Sequence, residues 1–223
     1  MNNILIFIEV VVIFSLLVCG KRFLGKDAVI AWVPLATVLA NIITAKNATV
    51  FGLSTAIGTV MFASTFLATD ILSECYDKKY AKKAVILGLC ADAVLIISTQ
   101  IALHYIPSEF DYAHSAMQTL FSLNLRISIA SAIMYFAANM TDVYIFNKLK
   151  DKMNGRKMWL RNNVATILCN CLENFGFIAL AFWGIYDGKS ILTIAISTSI
   201  VEMVVALLDT PFLYIAKHIG GKE

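Results

Sequence analysis

Seven apolar runs dominate the chain, near residues 4–19, 27–45, 49–72, 84–106, 116–146, 163–186 and 191–217. A helix needs about 20 mainly apolar residues to cross ~30 Å of hydrocarbon, so each run reads as a membrane span, the first short and the fifth long. The runs leave no room for a second unit: residues 1–223 form one integral membrane domain. Composition agrees, with 59% hydrophobic and 15% charged residues against about 25% charged in a soluble domain. A water-soluble enzyme of conventional build is excluded. The net charge of +3 is small and dispersed, which argues against nucleic acid as a partner. The first run could pass for a secretory signal, but it has no basic n-region and no small-residue cleavage site, and Lys21 and Arg22 follow it. It is expected to be a retained helix.

Polar segments punctuate the runs, and their basic residues set the expected topology. The connections after spans one, three and five carry Lys21, Arg22 and Lys26, then Lys78, Lys79, Lys82 and Lys83, then Lys148, Lys150, Lys152, Arg156, Lys157 and Arg161. With Lys217 and Lys222, one side collects fifteen basic residues against two, Lys46 and Lys189, on the other. By the positive-inside rule the N-terminus lies outside and the C-terminus inside. Spans three, five and seven also end alike, in TFLATDIL, AANMTDVY and VALLDTPF, with Asp70, Asp142 and Asp209 spaced 72 and 67 residues apart. Two readings stand: three helical hairpins in parallel repetition behind a leading helix, as in some transporters, or a chance likeness of helix ends. The fold class is all-α and polytopic either way.

An ionisable group at the bilayer centre costs ~2.5–3.5 kcal/mol on insertion scales and normally faces a bundle interior or a cavity. At ~1.5 Å of rise per residue, Glu173, Glu202, Arg126 and Asp92 all fall well inside spans, and Glu9 lies in the outer half of the first. Polar residues recur at helical spacing: Asn163, Thr166, Asn170 and Glu173 in span six; Ser131, Tyr135, Asn139 and Asp142 in span five; Thr198, Glu202 and Asp209 in span seven. These stripes predict a polar-lined cavity, to which spans three and four add Thr69, Asp70 and Asp92. Arg126 falls nearly opposite Tyr135 on an ideal helix and needs a bend or a neighbouring carboxylate to turn inward. For Asp70, Asp142 and Asp209, pairing with basic loop residues competes with a coupling or gating role.

Side-chain amides pair a donor with an acceptor and match the edge of a heterocyclic base. A carboxylate accepts two parallel N–H bonds from an amidine-like edge such as guanine's N1–H and 2-amino group, in the strong charge-assisted class. The same carboxylates can carry protons. The five cysteines show no CxxC pair or zinc spacing and read as buried, inert thiols. The three histidines lack any HExxH pattern, and no phosphate loop or nucleophile elbow is present. No catalytic residue, metal site or cofactor site is therefore expected.

The stretch TFLATDILSECYDKKYAKKAV, the block LRISIASAIMYFAANMTDVYIFNKLKDKMNGRKMWLRNNVATILCNCLENFGFIALAFWGI and the tail LLDTPFLYIAKHI resemble the VUT family of queuosine precursor transporters. The resemblance implies uptake of 7-deazaguanine bases (queuine and its 7-aminomethyl and 7-cyano precursors) across the bacterial cytoplasmic membrane for tRNA modification. It leaves room for a homo-oligomer and carries functional weight onto Asp70, Arg126, Asn139, Asp142 and Asn170. The chain departs from the family in having Glu173-Asn174 where an Asp-Thr pair is usual, Ala165 where a serine is usual, and Glu202 where many members carry a lysine. A lysine-to-glutamate exchange changes the cavity charge by two units. Preference for an amine-bearing base is the expected consequence, with Glu173 on the guanine-like edge, Asn139 and Asn170 as amide contacts, and Tyr135 or a phenylalanine stacked on the ring.

Three rival readings differ in class. A substrate-binding subunit of an energy-coupling-factor vitamin transporter would dock through small residues on its first helix, and ILIFIEVVVIFSLLVC has no alanine. An intramembrane lipid-modifying enzyme would need paired acids on a metal or a nucleophile. A ligand-free structural subunit has no use for mid-span carboxylates.

Overall fold

The computed structural model describes residues 1–121, 125–184 and 187–219. In chain order the elements are α1 (Asn2–Leu24), α2 (Lys26–Ile43), β1 (Asn47–Val50), β2 (Leu53–Ala56), α3 (Thr59–Cys75), α4 (Lys78–Leu103), α5 (His114–Phe121), α6 (Leu125–Lys152), α7 (Met158–Phe182) and α8 (Gly188–His218). Six of these helices are long and apolar enough to cross a membrane: α1, α2, α4, α6, α7 and α8. Of the other two, α5 is short, and α3 has 17 residues, about 25 Å at helical rise, and stands inside the others. The protein is an all-α polytopic membrane protein with one small hairpin added.

Two spans differ from their sequence reading. The run expected over 49–72 splits: Asn47–Val50 and Leu53–Ala56 pair antiparallel, and the helix starts only at Thr59. At the turn, Phe51 and Gly52 have φ of 52° and 79°, the doubly positive pattern of a type I′ hairpin. A summed hydropathy cannot separate such a strand pair from helix; the β-branched residues around a glycine in TVFGLST were the local signal. Within the run expected over 116–146, α5 covers His114–Phe121, and α6 covers Leu125–Lys152, past the expected end. The segment KRFLGK is hardly a loop either: α1 runs to Leu24, α2 begins at Lys26, and Gly25 between them takes φ 74°, which glycine adopts without steric cost.

The molecule is apolar outside and polar within. Ile4, Leu5, Ile8 and Val11 of α1 and Val94, Ile97 and Ile101 of α4 face outward, as lipid requires. α3 is buried along nearly all its length and packs against α1, α2, α4, α6 and α8; α7 closes the bundle between α6 and α8. The buried set holds Asp70, Asp92, Asn139, Asp142, Arg161, Asn162, Asn170 and Asp209.

Contacts between helix ends separate two poles. At the basic end, Lys21 Nζ donates to the carbonyls of Ala216 (2.7 Å) and Ile219 (3.0 Å), and Lys150 Nζ donates to Ser73 O (2.7 Å). At the other, the first turn of α1 holds the hairpin: Asn2 Nδ2 donates to Thr49 O at 3.0 Å, and Phe51 N–H to Asn3 Oδ1 at 2.8 Å. The connections after spans one, three and five thus share a pole, as their lysines and arginines predicted. Lys21 itself is no loop charge. It is buried, capping the last carbonyls of α8 where those groups lack helical partners.

Candidate functional site

A cavity of about 440 Å³ opens among the hairpin-end halves of the bundle. Its walls come from Asn41 of α2 and Thr44 just past its end, Thr55 of β2, Thr59 and Phe62 of α3, Ser131 and Tyr135 of α6, Glu173, Asn174 and Phe177 of α7, and Ser197 and Glu202 of α8. The lining groups recur at steps of one, three or four residues along each helix (Thr193, Ser197, Thr198 and Glu202 on α8), so a single face of each suffices. Asn174 Nδ2 donates to Glu202 Oε2 at 2.5 Å, tying α7 to α8. Glu173 Oε2 is buried with no hydrogen-bond partner. Asn41 Nδ2 donates to Asp92 Oδ1 at 2.9 Å, which fixes the α2–α4 wall. The Phe62 and Tyr135 rings meet edge to face, 6.1 Å apart at 71°. A volume of this size suits a single small heterocycle, and the lining offers such a ring aromatic edges and a half-buried pair of carboxylic side chains.

Below the cavity lies a second polar tier. Seven residues separate Tyr135 from Asp142, Thr166 from Glu173, and Glu202 from Asp209, about 10.5 Å of rise on each helix. The lower members converge with Asp70 of α3. Asp70, Asp142 and Asp209 are all fully buried and act on one another electrostatically. Asn162 Nδ2 donates to Asp209 Oδ1 at 2.6 Å, and Thr166 Oγ1 to Asp142 Oδ1 at 3.5 Å. Asn139 and Asn170 are buried on the faces joining the two tiers. Thr65 Oγ1 donates to Asn139 Oδ1 at 3.3 Å, and Asn139 Nδ2 donates to Tyr135 O at 3.1 Å.

The basic end carries an ion cluster under both tiers. Glu74, in the last turn of α3 beyond its apolar run, pairs with Arg161, with Lys217 (2.6 Å) and with Lys150 (3.2 Å). Arg161 is fully buried, its guanidinium centre 5.0 Å from the Phe146 ring centroid. Burial alone pushes the Glu74 carboxyl up; the Lys217 hydrogen bond and the Lys150 and Arg161 charges outweigh it and hold the group below its usual value.

Of the residues singled out from the sequence, Glu173, Glu202 and Tyr135 meet at the cavity, and Asp70, Asp142 and Asp209 meet in the lower tier. Asp92 belongs to neither group of three; it backs the cavity wall through Asn41. The side chain of Arg126 lies outside the described residues. Among the described residues the three aspartates form no ion pair with a loop lysine, the role that Glu74 takes instead. Glu74, Arg161 and Asn162 escaped the sequence reading because all three sit in strongly polar stretches that look like loops. The expectation of five buried thiols also needs correcting, since Cys19 and Cys90 are exposed on the outer surface. Among the described residues no group of three or more His, Cys, Asp or Glu is arranged to hold a metal.

The family model described as "Putative vitamin uptake transporter" matches residues 56–216. A Bacillus subtilis protein named "Probable queuosine precursor transporter" is 33% identical over 217 residues, covering 97% of this chain and 94% of that one. An Escherichia coli protein named "Queuosine precursor transporter" is 28% identical over 144 residues, 65% of this chain and 62% of its own length. A Haemophilus influenzae protein named "Probable queuosine precursor transporter" is 28% identical over 127 residues, 56% and 51% of the two chains. No solved structure matches the chain.

Proposed function

The chain belongs to the vitamin uptake transporter family, and from that premise we propose that it imports queuosine precursors, 7-deazaguanine bases, across the bacterial cytoplasmic membrane. The observation that carries the reading is the cavity between α2, α3, α6, α7 and α8, with Glu173 and Glu202 on its wall, in a chain whose relatives carry that substrate in their names. The unpartnered Glu173 oxygen is an acceptor for the N1–H and 2-amino edge of a guanine-like ring. Tyr135, Phe62 and Phe177 supply the apolar faces and Asn174 positions Glu202; Asn139 and Asn170, the expected amide contacts, are buried outside the cavity lining. The carboxylate pair favours an amine-bearing base, queuine or the aminomethyl precursor, over the neutral cyano base. The basic pole faces the cytoplasm by the positive-inside rule, which turns the cavity outward.

Thermal unfolding of the detergent-purified protein with queuine, both precursor bases, guanine and biotin tests the reading. A ligand that binds only the folded state stabilises it by ~2.7 kcal/mol at a hundredfold excess over Kd. The expected result is a shift with the deazaguanines, none with biotin, and loss of the shift in Glu173→Gln. Glu202→Lys is expected to weaken the amine-bearing bases more than the cyano base; equal weakening of all three would remove the charge argument.

A further inference from the structure

The lower tier contains more acceptors than donors. Asp70 of α3 and Asp142 of α6 meet side chain to side chain at hydrogen-bonding range. As ionised carboxylates both are acceptors only. In that state neither oxygen of Asp70 finds a donor, and Asp142 Oδ2 and Asp209 Oδ2 also lack one, although all three residues are fully buried. Buried polar groups are almost always hydrogen-bonded, so ionised carboxylates do not account for this geometry. One proton on Asp70 or Asp142 accounts for the contact of that pair, because it turns one group into the donor its neighbour needs.

The surrounding charges do not neutralise the tier. Among the described residues, Arg161 of α7 is the cation that acts on Asp70, and it is engaged by Glu74, which also draws Lys150 of α6 and Lys217 of α8. Cys169 of α7 also faces Asp70 and Asp142, and Glu173 lies one tier above. Two guanidinium nitrogens of Arg161, Nε and Nη1, are buried without a hydrogen-bond partner. The tier thus borders an unsatisfied donor as well as unsatisfied acceptors, the arrangement of a site whose proton comes and goes.

We propose that Asp70, Asp142 and Asp209 form a shared proton site that couples base uptake to the proton gradient, with Asp70 and Asp142 holding the proton between them. The proton and the base move in the same direction. The base occupies the cavity and the proton occupies the tier about 10.5 Å below it, on α6 and α8, the helices that also line the cavity. Taking up the proton removes one negative charge from the buried tier, which lowers the cost of rearranging it in the closed interior. Arg161 and Glu74 stand between the tier and the basic end, where a freed proton leaves and the guanidinium can turn to the vacated carboxylate. This mechanism rests on the transport reading above, and its test separates the two.

The purified full-length protein is reconstituted in liposomes with a radiolabelled deazaguanine, and two processes are followed: exchange of internal for external base at equal pH, and net accumulation driven by an imposed pH gradient. One proton per base across one pH unit sustains about a tenfold accumulation. The wild type is expected to show both processes. Asp142→Asn and Asp70→Asn, the same shape as a protonated aspartate, are expected to keep exchange and lose the accumulation. Exchange without gradient-driven accumulation in the wild type overturns the coupling and leaves the substrate reading intact, as does accumulation unchanged in both variants. Absence of exchange with every base overturns the substrate reading instead. Infrared difference spectra across a pH titration then decide the proton site alone: a protonated-carboxyl band that both variants diminish supports it, and no such band overturns it.

Discussion

Glu74 is the residue on which the basic end turns. One carboxylate answers a fully buried guanidinium and two lysines, and breaking a buried pair from one side is costly because the partner's charge stays behind. Glu74→Gln is expected to destabilise the detergent-purified protein by on the order of 3 kcal/mol, measured as a fall in thermal midpoint. The double variant Glu74→Gln/Arg161→Met should recover part of that loss, since no unpaired guanidinium remains. The pH response has a definite sign. Glu74 titrates below its usual value when folded, so the unfolded chain binds its proton first, and the stabilisation is complete above the ordinary carboxylate pKa. It is lost as pH falls through the lowered folded value. The acid limb of the wild-type stability curve is expected to flatten in Glu74→Gln.

The elements hold the cavity open through close approaches. A Cβ at Gly88 of α4 would collide with the Tyr135 hydroxyl of α6, beside Thr37 of α2. One at Gly58, ahead of α3, would meet the Thr44 side chain and the Ala40 carbonyl. Both glycines let backbones come together around the cavity wall. Gly88→Ala should cost about 1–3 kcal/mol as overpacking and push Tyr135 into the cavity, so base affinity should fall along with the thermal midpoint; a stability loss with unchanged affinity would separate Tyr135 from the site. The hairpin is a different kind of element. Among the described residues its two strands pair only with each other as a sheet, and α1 pins them through Asn3, Asn2 and an edge-to-face contact of Phe7 with Phe51. Asn3→Ala removes the acceptor for the Phe51 amide. Hydrogen exchange at Phe51 should accelerate, with little change in the thermal midpoint, because the bond is exposed and worth about 1 kcal/mol at most.

At the scale of the whole molecule, charge asymmetry and polar depth belong to one design. The basic residues of three connections gather at one pole, and the cavity lies toward the opposite pole, ringed by the hairpin. The outward placement of that pole is testable by labelling. In a background lacking native cysteines, Asn154→Cys, in the turn before α7, should resist an impermeant maleimide in intact cells, and Glu109→Cys, between α4 and α5, should react. The reverse pattern would invert the topology and turn the cavity toward the cytoplasm.

Hydropathy and charge are sums over a segment and survive any rearrangement of neighbours, so the sequence by itself determined the membrane spans, their common polar faces, and the gathering of lysines at one pole. Helical periodicity also placed Glu173, Glu202 and Tyr135 on inward stripes. Partners across helices are another matter, because they depend on which stripe meets which. Only the tertiary structure decided that Asp70, Asp142 and Asp209, spaced 72 and 67 residues apart, share one buried tier. It also decided that Glu74 takes the basic partners expected for them, and that residues 47–56 leave the third span to form a hairpin. An aspartate at a helix end reads the same whether its neighbour is a loop lysine or another carboxylate, and the difference lies in packing that no single segment contains.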